Sequence, residues 1–150
     1  MKKAKPIILA LAVLTLLFIW VNSFMPSGPS SRMSGYVTRL ITPFLEILVG
    51  RGHVTEHLVR KLAHVAEYAL YAFWLALLAK SDGRKARTAL LIGFLTAFLD
   101  ETIQIFTGRG AAIRDVWIDL IGITGGIGAG HILMGMFGVY RAEKKKTEED

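Results

Sequence analysis

Four long apolar blocks constrain what this chain of 150 residues can fold into. They cover residues 6–24, 62–79, 88–106 and 116–139. Each approaches the length of about 20 apolar residues that a helix needs to cross a bilayer. Only helices and closed barrels satisfy their backbone polar groups in lipid, and these blocks are too long for barrel strands. The sequence therefore predicts an all-α protein, an integral membrane four-helix bundle forming a single domain over residues 1–150.

The predicted transmembrane helices lie at about residues 6–25, 58–79, 87–106 and 115–139. Residues 22–35 are rich in Ser, Pro and Gly and are interpreted as an external turn. Residues 36–49 have apolar positions at helical spacing but are too short to cross, which predicts an external amphipathic helix on the membrane surface. We expect Pro43 to kink or restart that helix, with Thr42 as its cap. The charged residues 141–150 are expected to form a solvated tail.

The net charge of +6 is explained by membrane topology rather than by a nucleic-acid partner. Basic residues cluster before the first block, between the second and third, and after the fourth. Four crossings place these segments on one side, and the positive-inside rule makes that side the cytoplasm. We therefore expect both termini to be cytoplasmic. The first block is long and no A-x-A site follows it, which favours a retained anchor over a signal peptide.

Polar residues interrupt three of the blocks at nearly one depth, in the half expected to face outside. The second block, with the residue before it, carries Lys61, His64, Glu67 and Tyr68; the third carries Asp100, Glu101 and Gln104; the fourth, with the residue before it, carries Asp115 and Asp119. Within each block these residues are spaced by three or four, so each set forms one stripe on its helix. We expect the stripes to face each other in a water-accessible pocket that opens to the outside.

The acids of these stripes need compensation inside a membrane. Glu67, Asp100, Glu101 and Asp119 would together cost on the order of 10 kcal/mol if they faced lipid. Pairing with a basic residue, protonation, a metal ion or water could offset that cost. Asp100 and Glu101 could form a structural ion pair with Lys61 or Arg109, although intramembrane acids more often mark function. His64 could be a hydrogen-bonded structural residue, a general base or a metal ligand.

The order of these motifs resembles the VanZ-like family. The resemblance covers residues 57–130 and is carried by a K-x-x-H-x-x-E-Y run, a D-E-x-x-Q-x-F run, a G-R loop and a final D-x-x-x-D-x-x-G run. The residues concerned are Lys61, His64, Glu67 and Tyr68; Asp100, Glu101, Gln104 and Phe106; Gly108 and Arg109; and Asp115, Asp119 and Gly122. It implies a bacterial plasma-membrane protein of the cell envelope. The family takes its name from a member linked to teicoplanin resistance, and the resemblance implies no particular reaction or cofactor.

Two classes of function remain open, and both involve membrane lipids or a lipid-linked envelope molecule. The protein could be an enzyme, a hydrolase or transferase, with His64, Glu67, Asp100 and Glu101 as catalytic candidates. Substrate would then contact Lys61, Tyr68, Gln104, Arg109, Asp115 and Asp119. Alternatively, the protein binds an envelope lipid or amphiphilic antibiotic without catalysis. The apolar inner halves of the helices disfavour proton-coupled transport. The sequence leaves a metal or other cofactor open.

A glycine stripe in the fourth block indicates close helix packing. Gly122, Gly126 and Gly130 recur at intervals of four and share one face of the predicted helix. This face could pack within the bundle or between copies of the chain, so a homo-oligomer is a further expectation. The chain has no cysteine, which excludes disulfides and thiol chemistry.

Overall fold

The computed structural model describes residues 5–79, 83–107 and 114–149, and these form five helices without any strand. They are α1 (Lys5–Phe24), α2 (Ser27–Val49), α3 (Glu56–Ala79), α4 (Gly83–Phe106) and α5 (Asp115–Glu149). Within these ranges, four stretches are long and apolar enough to cross a membrane: Lys5–Phe24, Glu56–Ala79, Ala86–Phe106 and Asp115–Gly138. The predicted all-α class with four membrane spans is confirmed, and the chain is a multi-pass membrane protein.

The bundle is built around the pair α3 and α5, which make the most extensive helix–helix contact. The glycine stripe explains how close they come. A Cβ atom added at Gly126 would lie 2.0 Å from the carbonyl oxygen of Ala69, and one at Gly122 would lie 2.4 Å from that of Val65. Small residues let membrane helices approach closely where apolar burial alone gives little driving force. The glycine face therefore packs within the bundle, against α3.

Side chains from α1, α3, α4 and α5 meet in a small apolar core. Its buried members are Ala12, Ile19, Tyr68, Tyr71, Ala72, Ala97, Val116 and Ile123. Many large apolar side chains on the outer faces of the same helices are exposed, for example Leu17, Leu91 and Ile132. Such extensive exposed apolar surface suits helices whose surroundings are lipid rather than water.

Helix α2 begins earlier than the sequence predicted. Residues 22–35 were expected to form a turn, but only Met25 and Pro26 separate α1 from α2, which starts at Ser27. Pro29 falls in the first turn of α2, where proline is tolerated because the early N–H groups of a helix have no intrahelical acceptor. The Ser-, Gly- and Pro-rich stretch therefore contributes a helix start rather than an extended linker.

Neither a restart at Pro43 nor a cap at Thr42 is found in the middle of α2. Pro43 lies inside a continuous helix and does not restart it. Thr42 is not a cap: its Oγ1 donates a hydrogen bond to the carbonyl of Thr38, one turn back, at 2.7 Å. The apolar side chains Tyr36, Leu40 and Phe44 remain exposed, while α2 packs against α3. Such an exposed apolar face suits a helix that lies in the lipid headgroup region.

Helix α5 continues beyond the predicted span. The sequence favoured an end near residue 139 followed by a solvated tail, but the helix runs on to Glu149. Residues 141–149 consist largely of Ala, Glu and Lys, which are strong helix formers even when solvated. The tail is therefore helical in this structure, as a continuation of α5.

Candidate functional site

Three helices bring four titratable side chains together near one end of the bundle. His64 on α3, Asp100 and Glu101 on α4, and Asp119 on α5 each offer one ligand atom, and these atoms lie within 4.8 Å of one another. We call these four residues the polar cluster. The acids are 0%, 4% and 1% exposed, in chain order. The polar stripes predicted for three separate helices therefore meet at this point.

His64 is the basic group at the centre of the cluster. Its Nδ1 atom lies 3.3 Å from Asp119 Oδ1 and 4.0 Å from Asp100 Oδ2. A protonated imidazole would supply one positive charge to three carboxyl groups, so it could not neutralise them all. The cluster must therefore also bind protons or a cation if its charge is to be balanced away from water.

Asp100 is held by donors from two helices. The Ser23 hydroxyl on α1 donates a hydrogen bond to Oδ1, and Gln104 Nε2 donates one to Oδ2 at 2.9 Å. Tyr68 is also fully buried, with its hydroxyl facing Asp100. Gln104 therefore binds Asp100, whereas the buried Tyr68 hydroxyl makes no hydrogen bond to any of the described residues. The sequence reasoning missed Ser23, although its position near the outer end of the first block gave it the right depth.

Glu101 and Asp119 are less well satisfied. Glu101 Oε2 and Asp119 Oδ2 are buried, and neither has a hydrogen-bond partner within residues 5–79, 83–107 and 114–149. A buried acceptor without a donor costs about 1–3 kcal/mol, and more when it is charged. These oxygens belong to two residues of the polar cluster that come from different helices. They are available to a proton or to a cation.

Glu67 lies outside the polar cluster, on the wall of a pocket of about 230 Å³. Helices α1, α2 and α3 form this side pocket, whose apolar wall includes Phe18, Val37, Val59 and Ala63 and whose polar wall includes Arg60 and Glu67. Asn22 Nδ2 on α1 donates a hydrogen bond to Glu67 Oε1 at 3.3 Å. Glu67 is therefore a neighbour of the polar cluster rather than one of its four members: it lines the same pocket as His64 and lies within electrostatic range of Asp100 and Asp119.

The side pocket and the polar cluster meet at Ser23 and His64. Ser23 and His64 line the pocket, while Ser23 bonds Asp100 and His64 approaches Asp100 and Asp119. The His64 side chain is 16% exposed, in contrast to the enclosed acids behind it. A molecule in the pocket would therefore meet His64 first. The arrangement could pass a proton between pocket and cluster, or hold a cation at their boundary.

The remaining predicted residues lie at the edge of the site. Lys61 Nζ is 3.2 Å from Asp115 Oδ1, and Arg114 Nε is 4.0 Å from the same oxygen. This ion pair ties α3 to the first turn of α5, so Lys61 neutralises Asp115 rather than Asp100 or Glu101. Arg109, which was predicted to bind substrate, lies outside the described residues.

Comparison with known proteins agrees with this architecture. The sequence profile of the VanZ/LLP1 family matches residues 7–134, a range that includes the whole polar cluster and side pocket. The uncharacterized membrane protein YwnJ of Bacillus subtilis (strain 168) is 31% identical over 111 residues. That stretch covers 73% of this chain and 65% of the relative. No solved structure matches the chain.

Proposed function

Because the chain belongs to the VanZ/LLP1 family, we propose that it acts in the bacterial cell envelope, binding an anionic lipid-linked molecule in the side pocket. The main support for this proposal is that the side pocket adjoins the polar cluster. Ser23 and His64 line the pocket and also contact the buried acids, so a ligand there lies directly beside titratable groups. A purely structural ion-pair network would not need such an opening.

The chemistry of the pocket wall favours an amphiphile with an anionic head group. Arg60 lines the pocket, and its Nε atom is buried without a hydrogen-bond partner among the described residues. A planar guanidinium suits phosphate or carboxylate. Phe18, Val37 and Val59 provide apolar surface in the same pocket. Arg60 would therefore hold the head group while the apolar wall guides the lipid chain.

The size of the pocket limits what it can enclose. Its volume of about 230 Å³ is below the roughly 300–1,000 Å³ of pockets that enclose whole drug-sized ligands. It therefore suits a head group, with the hydrocarbon chain extending along the exposed apolar faces of α1 and α2. These faces carry exposed residues such as Phe24, Leu40 and Phe44. A ligand anchored in this way would remain embedded in the membrane.

The proposed topology places the pocket on the extracytoplasmic side. With both termini in the cytoplasm, α1 ends and α3 begins near the outer surface, and the side pocket lies at this end. Helix α2 would rest on that surface and form one wall of the entrance. A lipid-linked molecule in the outer leaflet would then reach Arg60 without crossing the membrane.

A catalytic version of this function is favoured by the buried oxygens of Glu101 and Asp119 that have no hydrogen-bond partner. In a hydrolase or transferase, His64 would exchange a proton with the ligand, and the acids behind it would stabilise the charged imidazole. Glu101→Gln and Glu67→Gln keep size and hydrogen bonding but remove titration. If the protein is an enzyme, each of these variants should abolish its cellular phenotype at normal protein level. If it only binds its ligand, each variant should keep much of that phenotype.

Ligand binding is tested by native mass spectrometry of the full chain in detergent. We expect phosphatidylglycerol or a polyprenyl phosphate to bind more tightly than phosphatidylcholine. Arg60→Gln should weaken that preference, while Arg39→Gln removes the same charge from an exposed position on α2 and should not. Equal binding of anionic and zwitterionic lipids, or equal effects of the two variants, would contradict the proposed role of the pocket.

Resistance to glycopeptides of the teicoplanin type is the biological outcome that we propose for this envelope function. The pocket could act through an envelope lipid or retain the amphiphilic antibiotic itself. Deleting the gene should lower the inhibitory concentration of teicoplanin, and the intact gene should restore it while the Arg60→Gln form does not. If the Arg60→Gln form fully restored resistance at normal protein level, the side pocket would not be required for resistance.

A further inference from the structure

The polar cluster has the composition of a metal site. It contains one imidazole and three carboxylates from three helices, with one ligand atom of each within 4.8 Å of the others. Cations such as Zn²⁺ hold nitrogen and oxygen ligands at about 2.0–2.2 Å, so ligands around one ion lie about 3–4 Å apart. The side chains would need to move inward by less than about 1 Å to enclose an ion. Small side-chain rotations can produce such movements.

A second observation points to a ligand. Glu101 Oε2 and Asp119 Oδ2 are buried acceptors without a hydrogen-bond partner among the described residues, and their side chains are 4% and 1% exposed. They belong to Glu101 on α4 and Asp119 on α5, two residues that helix packing brings into one cluster. His64 Nδ1 faces the same region, 3.3 Å from Asp119 Oδ1. We propose that His64, Asp100, Glu101 and Asp119 bind one divalent first-row transition-metal cation.

Neighbouring groups already orient the proposed ligands. Ser23 and Gln104 donate hydrogen bonds to the two oxygens of Asp100, whose remaining lone pairs stay available to a cation. Partners of this kind fix ligand orientation in metal sites and usually affect affinity strongly. Asp100 is therefore positioned by α1 and by its own helix before any ion binds.

Charge and ligand type narrow the identity of the cation. Three carboxylates and a neutral imidazole carry a charge of −3, and a divalent ion would reduce it to −1. Ca²⁺ and Mg²⁺ prefer all-oxygen sites, whereas imidazole suits Zn²⁺ and Fe²⁺ and carboxylates suit Mn²⁺. The mixed ligand set therefore favours Mn²⁺, Fe²⁺ or Zn²⁺ over Ca²⁺ and Mg²⁺. This inference rests on the proposed function for its biological role, because a cation beside His64 would contact the anionic group of a ligand in the side pocket.

The direct test measures metal binding without lipid or activity. The full chain is purified in detergent, stripped with a chelator and titrated with Mn²⁺, whose free fraction is followed by electron paramagnetic resonance. We expect one saturable site per chain and competition by Zn²⁺. The Glu101→Gln/Asp119→Asn double variant should lose at least about tenfold in affinity. Glu56→Gln is the matched control, because Glu56 is an exposed carboxylate in the first turn of α3, two turns before His64, and it should bind as the unmodified chain does.

The possible results distinguish failure of the cation proposal from failure of the proposal that a lipid binds in the side pocket. Absence of saturable binding up to about 1 mM Mn²⁺, a concentration at which weak sites would still fill, would overturn the cation proposal. Equal Mn²⁺ affinity of the double variant and the unmodified chain would also overturn the cation proposal. Size-exclusion and circular-dichroism profiles verify that the double variant is folded. If the double variant misfolds, Asp119→Asn alone replaces it under the same criterion. Lipid binding that persists in chelator would leave the pocket proposal intact, whereas metal binding without lipid selectivity would overturn only the pocket proposal.

Discussion

Ser23 on α1 donates a hydrogen bond to Asp100 on α4, and this contact ties the first helix of the bundle to its buried acids. Gln104 supports the same carboxylate from one turn further along α4. Ser23 also lines the side pocket, so α1 connects the pocket to the polar cluster. Helix α1 is therefore part of the candidate site and not merely an anchor beside it.

Removing the Ser23 hydroxyl should destabilise the bundle. Ser23→Ala leaves a buried oxygen of Asp100 with one donor fewer, which costs about 1–3 kcal/mol. We expect this loss in the free energy of unfolding, measured by denaturation of the purified chain in mixed detergent micelles. Thr124→Ala is the control, because Thr124 is exposed and bonds only carbonyls of its own helix among the described residues. Equal losses of unfolding free energy in the two variants would show that the hydrogen bond from Ser23 to Asp100 does not stabilise the bundle.

Two glycines on α5 should respond with opposite sign to alanine. Gly126→Ala places a methyl group 2.0 Å from a backbone oxygen of α3 and should cost about 1–3 kcal/mol or more, as overpacking does. Gly128→Ala meets nothing within 4 Å and should gain about 0.5–1 kcal/mol through helix propensity. Unfolding measurements of both variants test the packing of α3 on α5. A stabilising Gly126→Ala would show that the helices are not in close contact there.

The ion pair between Lys61 and Asp115 should contribute little stability. Both side chains are partly exposed, at 27% and 22%, and exposed pairs typically couple by about 0.2–1 kcal/mol. A double-mutant cycle with Lys61→Met and Asp115→Asn measures this coupling from four unfolding free energies. A coupling well above about 1 kcal/mol would contradict the account, because it would show that the pair is shielded from water.

The absence of cysteine makes topology easy to test. Arg51 lies in the turn between α2 and α3, and Arg87 lies near the start of α4; both are exposed. In whole cells, a membrane-impermeant maleimide should label Arg51→Cys but not Arg87→Cys, which should react only after the membrane is opened. The reverse pattern would turn the side pocket toward the cytoplasm and exclude an outer-leaflet ligand.

Much of the fold could be predicted from the sequence because a bilayer imposes simple rules. Apolar length predicted four spans, and the shared depth of polar residues predicted that α3, α4 and α5 would bring acids together. The boundaries of α2 and α5 were harder, since they depend on local propensity in segments that do not cross. Here Pro29 and the Lys- and Glu-rich residues 141–149 lie within helices that the sequence reasoning did not extend far enough.

The division of the site into cluster and pocket could not be predicted, because it depends on how each helix is rotated about its axis. His64 and Glu67 are three residues apart and therefore point about 60° apart around α3. That difference is enough for His64 to face α4 and α5 while Glu67 faces Asn22 on α1. Sequence spacing alone placed both residues in one stripe on α3. It could not show that the two residues contact different neighbouring helices.

The central proposal is that a lipid head group occupies the side pocket beside the polar cluster. Photo-crosslinking tests it most directly, using the full chain in vesicles that contain phosphatidylglycerol with a diazirine near its head group. Mass spectrometry should locate the adducts mainly on pocket residues such as Val37, Val59 and Ala63, and Arg60→Gln should reduce them. Adducts spread evenly over the outer faces, including Ile121 and Ile132, and unchanged by Arg60→Gln would contradict the proposal.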